Sequence, residues 1–284
     1  MGARTFAIGD IHGNLEALDL LLARIAPEKD DTVVFLGDYL DRGTQSKETI
    51  ERVRSFVDDA PCKAVALRGN HEDIWIECFK EPNAGFLLPR SNGCMDSFRS
   101  FTAAPPLEEG QPLRAEEFVQ YLQVGSWFPK DVIDWFESLP LWYEDDHALY
   151  VHAGLDGRDA EWKHPKDGRQ KPLMWMREKG FYNGYAGKRV VFGHTHTRDL
   201  PQELRRFPDA CPKESDRVWL SGGPPRSTPS TASWATDPDG AARRAGTSAS
   251  PPRGCSRSST RSTSRTTPTL PTSRRPRARP SPRW

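Results

Sequence analysis

The sequence predicts an α/β fold built on a mostly parallel sheet. Three observations carry that expectation. Short apolar runs alternate with stretches of helical periodicity over the first two hundred residues; one run, Thr32–Leu36, is continuously apolar and rich in β-branched residues; and polar, glycine-containing blocks follow the runs. A continuously apolar strand suits a sheet covered on both faces, and strand–helix–strand order implies parallel pairing with right-handed crossovers.

Thr5–Ile8 is the first run and ends at a Gly-Asp turn. Between Asn14 and Ala26, apolar residues fall at Leu15, Leu18, Leu21, Leu22 and Ile25, the spacing of a helix turned toward a core. Asn14 is placed to cap its start and Pro27 to end it. Ser46 is expected to cap a second helix reaching about Val57, and Lys63–Leu67 reads as a third strand. Residues 74–146 interrupt this rhythm with a Gly/Pro/Asn loop (81–93), a Pro-rich stretch (105–112) and helical patterns near 114–123 and 130–137. They read as an insertion packed over the rim of the sheet rather than as a separate domain. Ala148–Val151 and Arg189–Phe192 read as two more strands, and Arg217–Leu220 as a sixth.

The main domain is therefore expected over residues 1–220. From Ser221 to residue 284 the chain is Ser, Thr, Pro, Arg and Gly almost throughout, with no Lys and no apolar periodicity. Such a composition buries too little apolar surface to offset its ordering entropy, so this tail is expected to be disordered. It also resembles a GC-rich gene translated out of frame: Arg226–Ser233 permits codons that, read two bases later, spell Leu-Asp-Thr-Val-Tyr-Gly-Val. On that reading the natural C-terminus holds a further strand and a Tyr-Gly loop.

Charge divides along the chain in the same way. The totals are 40 Lys+Arg and 39 Asp+Glu, yet residues 240–284 hold 11 Arg and no acid. Residues 1–239 therefore carry 29 basic against 39 acidic groups, a balance of −10. Such a body has no general attraction to nucleic acid. No apolar run approaches the ~20 residues that span a membrane, so no membrane partner is expected. Five scattered Cys without a Cys-x-x-Cys pair exclude a disulfide scaffold, and the natural setting is a reducing cytoplasm.

Five short blocks carry the chemistry: Gly9-Asp10-Ile11-His12-Gly13, Gly37-Asp38-Tyr39-Leu40-Asp41-Arg42-Gly43, Gly69-Asn70-His71-Glu72, Val151-His152-Ala153-Gly154 and Gly193-His194-Thr195-His196. Five of the seven His lie in them. Loops beyond the carboxyl ends of parallel strands converge at one sheet edge, where ligands bind. Asp, Asn and His together suit Mn2+, Fe2+ or Zn2+, and the absence of Cys argues against a structural zinc site. Six or seven ligands are too many for one ion and about right for two sharing a carboxylate. His147 and His164 belong to no block and read as ordinary surface residues.

Taken together, GDIHG, GDYLDRG, LRGNHE, HAG and GHTH resemble the phosphoprotein phosphatase family of metallophosphoesterases over roughly residues 4–200. The insertion and the HTH ending are similar to its bacterial serine/threonine phosphatase branch, which also holds diadenosine tetraphosphate hydrolases. The resemblance implies a metallophosphoesterase-type β-sandwich flanked by helices in four αββα layers, with a two-metal site at one sheet edge. It implies Asp10 and His12 on a first metal, Asp38 bridging both, and Asn70, His152 and His194 on the second, with Mn2+ expected and Fe or Zn as alternatives. His71 would be the general acid, oriented by Asp41; Arg42, Arg68 and Arg177 would grip the phosphate. Hydroxide formed between two metal ions would attack phosphorus in line, and each guanidinium would match two phosphate oxygens. His196 is either a supporting group for the site or a turn-stabilising residue.

The implied activity is hydrolysis of phosphomonoesters, foremost phosphoserine and phosphothreonine in proteins. Symmetrical hydrolysis of diadenosine tetraphosphate and a non-catalytic metal-binding interaction module are the alternatives. The expected partner is a phosphoprotein or small phosphoester substrate, with no obligate protein partner. The aromatic residues Phe79, Phe86, Phe98, Trp127, Phe128 and Trp135 either line a substrate groove or belong to the core.

Overall fold

A computed structural model describes residues 3–105, 114–158, 161–201, 203 and 233–234. The expected strand at 217–220, and the tail apart from Ser233–Trp234, lie outside the described residues.

The chain opens with β1 (Thr5–Ile8), α1 (Leu15–Ile25), β2 (Thr32–Phe35), α2 (Ser46–Asp59) and β3 (Lys63–Ala66). β1 pairs β2 and β2 pairs β3 in parallel, with Ile8 opposite Phe35 and Phe35 opposite Ala66. Asn14 caps α1 as expected, its side chain accepting the Ala17 N–H at 3.1 Å. Ser46 does not cap α2. It is the first helical residue, after Gln45, and its hydroxyl instead receives the Asp41 N–H at 3.1 Å. A local capping signal has been taken over by the loop after β2.

The insertion forms α3 (Asn70–Lys80), α4 (Ala84–Leu87), a 3₁₀ turn (Arg90–Asn92), α5 (Cys94–Thr102), α6 (Ala115–Leu122), α7 (Val124–Trp127) and α8 (Lys130–Ser138). These helices share one hydrophobic cluster with α1, α2 and one face of β1 and β2, which is why the segment is no separate domain. Five of the aromatic residues weighed as groove residues belong to it: Phe98 and Phe128 are buried, and Phe79, Trp127 and Trp135 pack against it. Phe86 is buried as well but also walls the cleft described below.

The insertion closes earlier than expected. Trp142–Glu144 is a strand, β4, antiparallel to β5 (Leu149–Val151), and β8 (Val190–Val191) runs parallel on the other side of β5. Between them lie the ribbon of β6 (Gly157–Arg158) with β7 (Glu161–Trp162), then α9 (Lys171–Trp175) and α10 (Lys179–Gly184). β9 (Ser233–Trp234) pairs in parallel with the free edge of β1.

Strand alternation explains how the sheets stack. In β2, Val33 and Phe35 turn toward the helices α1 and α2, while Val34 turns the other way. Val34, Ala7, Leu36 and Leu67 meet Ala148, Tyr150 and Val191 of the second sheet in one buried cluster. Leu149 and Val151, on the opposite face of β5, pack against Leu173 of α9 and Phe181 of α10. Period-two side-chain placement thus yields helix, sheet, sheet, helix, the four-layer α/β sandwich.

Candidate metal centre

All five glycine-containing blocks follow the carboxyl ends of parallel strands: β1, β2 and β3 of the first sheet, β5 and β8 of the second. Main-chain bonds draw the loops together. The Asp38 carbonyl accepts the N–H groups of Ile11 and His12 at 3.0 and 2.9 Å, and the His152 carbonyl accepts Gly193 N–H at 2.8 Å. Gly69 lies so close to Asp38 that a Cβ there would stand 2.3 Å from its Oδ1, so only glycine lets the third loop approach.

Backbone strain is concentrated here. Among the described residues seven non-glycine residues have positive φ, and five of them are His12, Asp38, Asp41, Arg42 and His194. Each such conformation costs about 1–3 kcal/mol and persists only where its surroundings over-determine it. Glu72 supplies much of that constraint. Fully buried at the start of α3, it accepts N–H groups from Asp38 (2.9 Å) and Gly69 (2.8 Å) on one oxygen and from Tyr39 (2.8 Å) on the other. Burial, then the neighbouring Asp38, push its carboxyl up to about 7. Glu72 stands within the GNHE block, yet nothing in its spacing announces this role.

Two groups of potential ligands share one carboxylate. His12, Asp38 and His71 form the first; Asp38, His152 and His194 form the second, with donor atoms in each within 4.8 Å of one another. His12 Nε2 stands 3.6 Å from Asp38 Oδ2, and His152 Nε2 stands 3.5 Å from Oδ1. Asn70 Oδ1 completes the second group, 2.9 Å from His152 Nε2 and 2.7 Å from His194 Nδ1. Asp10 is set to one side, both its oxygens facing the His194 N–H at 3.0 and 3.2 Å. The structure thus gathers Asp38, Asn70, His152 and His194, puts His71 beside His12 and Asp38, and leaves Asp10 near enough to Asp38 that burial and then this neighbouring carboxylate raise its pKa.

The donor set fits cations. His12 and His152 each direct Nδ1 at a backbone carbonyl, of Leu40 and Leu36, at 2.8 Å. Those bonds place the proton on Nδ1 and leave Nε2 as an acceptor lone pair, which on His12 is met by Arg42 at 2.7 Å. His152 Nε2 then faces the Asn70 carbonyl oxygen, a 2.9 Å meeting of two acceptors that a cation between them would relieve. Burial, reinforced by His71, pushes His12 down to about 3; burial, reinforced by His152, pushes His194 down to about 2. Both are neutral imidazoles, the state a metal requires. His194 Nε2 is buried without a hydrogen-bond partner. Burial pushes Asp38 up, but the neighbouring His152 and His71 outweigh it and hold the carboxyl below the usual carboxylate range.

Beside these groups lies a cleft of about 420 Å3, lined by Arg42, Asn70, His71, Asn83, Phe86, Trp175, Arg177 and His194 among others. His71 Nδ1 is 2.5 Å from Asp41 Oδ2. Burial lowers the His71 pKa, but Asp38 and Asp41 outweigh it and raise it to about 9. Arg42 reaches His12 Nε2 (2.7 Å) and His71 Nε2 (3.5 Å). Arg177 is exposed at the cleft, and the cation over the Trp175 ring is Lys171, at 5.9 Å, rather than Arg177. Arg68 does not line the cleft. Its guanidinium donates to the Glu137 carbonyl at 2.5 Å and stands 3.8 Å from Asp73. His196 is likewise absent from the lining, and its carbonyl accepts Asp199 N–H in a 3₁₀ turn.

A family model described as calcineurin-like phosphoesterase matches residues 3–198. Among curated proteins, a symmetrical bis(5'-nucleosyl)-tetraphosphatase of Dechloromonas aromatica (strain RCB) is 28% identical over 152 residues, 53% of this chain and 44% of that protein. The serine/threonine-protein phosphatase 6 catalytic subunit of Drosophila melanogaster is 38% identical over 81 residues, 26% of this chain and 27% of that protein. The chain spans under half the length of these two relatives. Among solved structures, a metallophosphoesterase from Sphaerobacter thermophilus aligns at 20% identity and a TM-score of 0.37, over 69% of this chain and 62% of that one. A protein serine/threonine phosphatase from Saccharomyces cerevisiae aligns at 22% identity and a TM-score of 0.35, over 62% and 52%.

Proposed function

Because this chain belongs to the calcineurin-like phosphoesterase family, whose members act through bound metal, we propose that it hydrolyses phosphomonoesters, foremost phosphoserine and phosphothreonine in proteins. The observation that carries the reading is the carboxylate of Asp38, shared between two groups of imidazoles beside a cleft that holds His71, Arg42 and Arg177.

Asp10, His12 and Asp38 would hold one divalent ion, and Asp38, Asn70, His152 and His194 a second. Manganese is the first choice, with iron and zinc as alternatives. Two such ions supply hydroxide from water near neutral pH and offset phosphoryl charge. The chain's own residues do the rest. Arg42 and Arg177 bind phosphate oxygens through planar forks that hold the ester in one orientation. Arg68 could join them only by giving up its bonds to the Glu137 carbonyl and Asp73. His71, protonated and anchored through Nδ1 to Asp41, presents Nε2 as the proton donor to the leaving oxygen. The pairing leaves an alcohol and inorganic phosphate, with no covalent phosphoenzyme.

The similarity to a symmetrical bis(5'-nucleosyl)-tetraphosphatase supports a second reading, cleavage of diadenosine tetraphosphate, with Phe86 and Trp175 as aromatic walls for a base. The thiols Cys62, Cys78 and Cys94 are free, which supports a reducing cytoplasmic setting, and among the described residues no helix is long and apolar enough to cross a membrane. A substrate panel with Mn2+-loaded protein, and the chelated protein as control, tests the function. Phosphate released from phosphoserine or phosphothreonine peptides upholds the first reading; ADP from diadenosine tetraphosphate, with peptides untouched, upholds the second and overturns the first.

A further inference from the structure

Asp41 is fully buried, and the side chains that bond its carboxylate, Ser97, Trp75 and His71, do so as donors. Oδ1 accepts from the Ser97 hydroxyl at 2.6 Å, and the Trp75 indole N–H reaches both oxygens, at 3.1 and 2.9 Å. Oδ2 receives His71 Nδ1 at 2.5 Å and lies 3.9 Å from the Cys94 thiol. An ionised carboxylate accepts at both oxygens, and this is the form such a setting satisfies. Ser97 has one hydroxyl proton, which goes to the carboxylate; its oxygen accepts the Asp41 N–H at 2.9 Å. One residue of α5 therefore holds both the backbone and the side chain of Asp41, 56 positions earlier in the chain.

Trp75 is as firmly set. It is fully buried, stacked on Phe128 at 5.0 Å and met edge-on by Trp127 at 5.5 Å and Phe86 at 6.1 Å. That packing fixes the direction of its N–H. Phe86 also meets the His71 ring edge-on at 5.5 Å, so the same aromatic wall confines both members of the pair.

We infer that Trp75 and Ser97 are positioning residues for the Asp41–His71 pair, so that the helical insertion builds the proton-delivery half of the site. The inference rests on the phosphoesterase reading and deepens it. In the step concerned, the oxygen of water bonds to phosphorus as the bond from phosphorus to the leaving oxygen breaks. His71 Nε2 gives its proton to that leaving oxygen, and the proton lost by water restores His71 at the end of the cycle. Asp41 keeps the imidazolium aimed; Trp75 and Ser97 keep Asp41 from turning or drawing off its charge.

A leaving-group comparison tests this. The acid matters little for 4-nitrophenyl phosphate, whose phenolate leaves unaided, and much for phenyl phosphate. Trp75→Phe keeps one aromatic ring but loses the N–H with the rest of the indole; Ser97→Ala removes one oxygen; either variant that folds carries the test. With Mn2+-loaded protein, each variant is expected to lower kcat for phenyl phosphate about tenfold more than kcat for 4-nitrophenyl phosphate. In an Asp41→Asn background the same substitutions are expected to add nothing, because they act through that carboxylate. Equal losses on both substrates, or full losses surviving in the Asp41→Asn background, overturn the inference and leave the phosphoesterase reading standing. Wild-type protein that cleaves neither phosphate overturns that reading and this inference with it.

Discussion

The carboxylate of Glu72 accepts the backbone N–H of Asp38 at 2.9 Å, across 34 positions of sequence, and so holds the shared metal-ligand candidate in its left-handed conformation. Three N–H groups converge on Glu72 in all, and a carboxylate is the side chain that accepts them without offering a proton of its own.

Glu72→Gln puts an amide N–H against one of those donors. We expect metal affinity to fall about 10–100-fold, the range seen when outer-sphere partners of ligands are lost, and stability to fall by about 1–3 kcal/mol. Mn2+ titration calorimetry and urea unfolding measure both; an unaltered affinity would show that Glu72 only fills space.

His71 lies in the geometric group with His12 and Asp38, yet the proposed mechanism makes it the acid and Asp10 the ligand. The two assignments separate in one variant. His71→Asn is expected to keep its full metal content while losing about 100–10,000-fold in turnover of alkyl phosphoesters. Loss of one ion by elemental analysis would instead place His71 on the metal.

Gly93 has φ +72°, and a Cβ there would stand 2.1 Å from the Arg42 backbone nitrogen, whose N–H the Gly93 carbonyl accepts at 3.1 Å. Gly93→Ala is expected to cost about 1–3 kcal/mol through the strained φ alone. It should also raise KM for phosphoesters more than it lowers kcat, because Arg42 is displaced. Steady-state kinetics beside thermal unfolding check this, and an unchanged KM would count against Arg42 as a phosphate ligand.

Far from the site, Arg4 donates through Nε to both oxygens of Asp31 at 3.1 Å, and that bond above all holds the Asp31 carboxyl well below its ordinary value of 3.8. A pKa lower in the folded state than in the unfolded one stabilises the fold above pH 3.8 and loses that contribution as pH falls. Arg4→Met should therefore be less stable than the parent at pH 7, by a gap that narrows below about pH 4. Urea unfolding at pH 7 and pH 3 gives the two gaps, and equal gaps would contradict the linkage.

Much of this architecture can be read from the chain, for a physical reason. The β1, β2 and β3 runs are apolar after their first residue because both faces of the sheet are covered, and each ends at a glycine-containing loop that must carry the chemistry. What escaped are relationships with no local sign. β4 is three residues long and is separated from the end of α8 by only three residues, so Trp142–Glu144 reads as part of the insertion. Ser46 looks like a cap and serves Asp41. Ser97 and Trp75 reach Asp41 from 56 and 34 positions away, with no spacing to announce them. Arg68 adjoins GNHE in sequence, yet its long side chain reaches the Glu137 carbonyl.

The central claim is that loops from both sheets gather one two-ion cage bridged by Asp38. Metal stoichiometry tests it most directly: protein stripped by chelator, reloaded with Mn2+ and washed is expected to hold two ions per chain, and Asp38→Asn no more than one, with turnover lost. Parent protein that retains none, or an Asp38→Asn variant that keeps two ions and normal turnover, would contradict it.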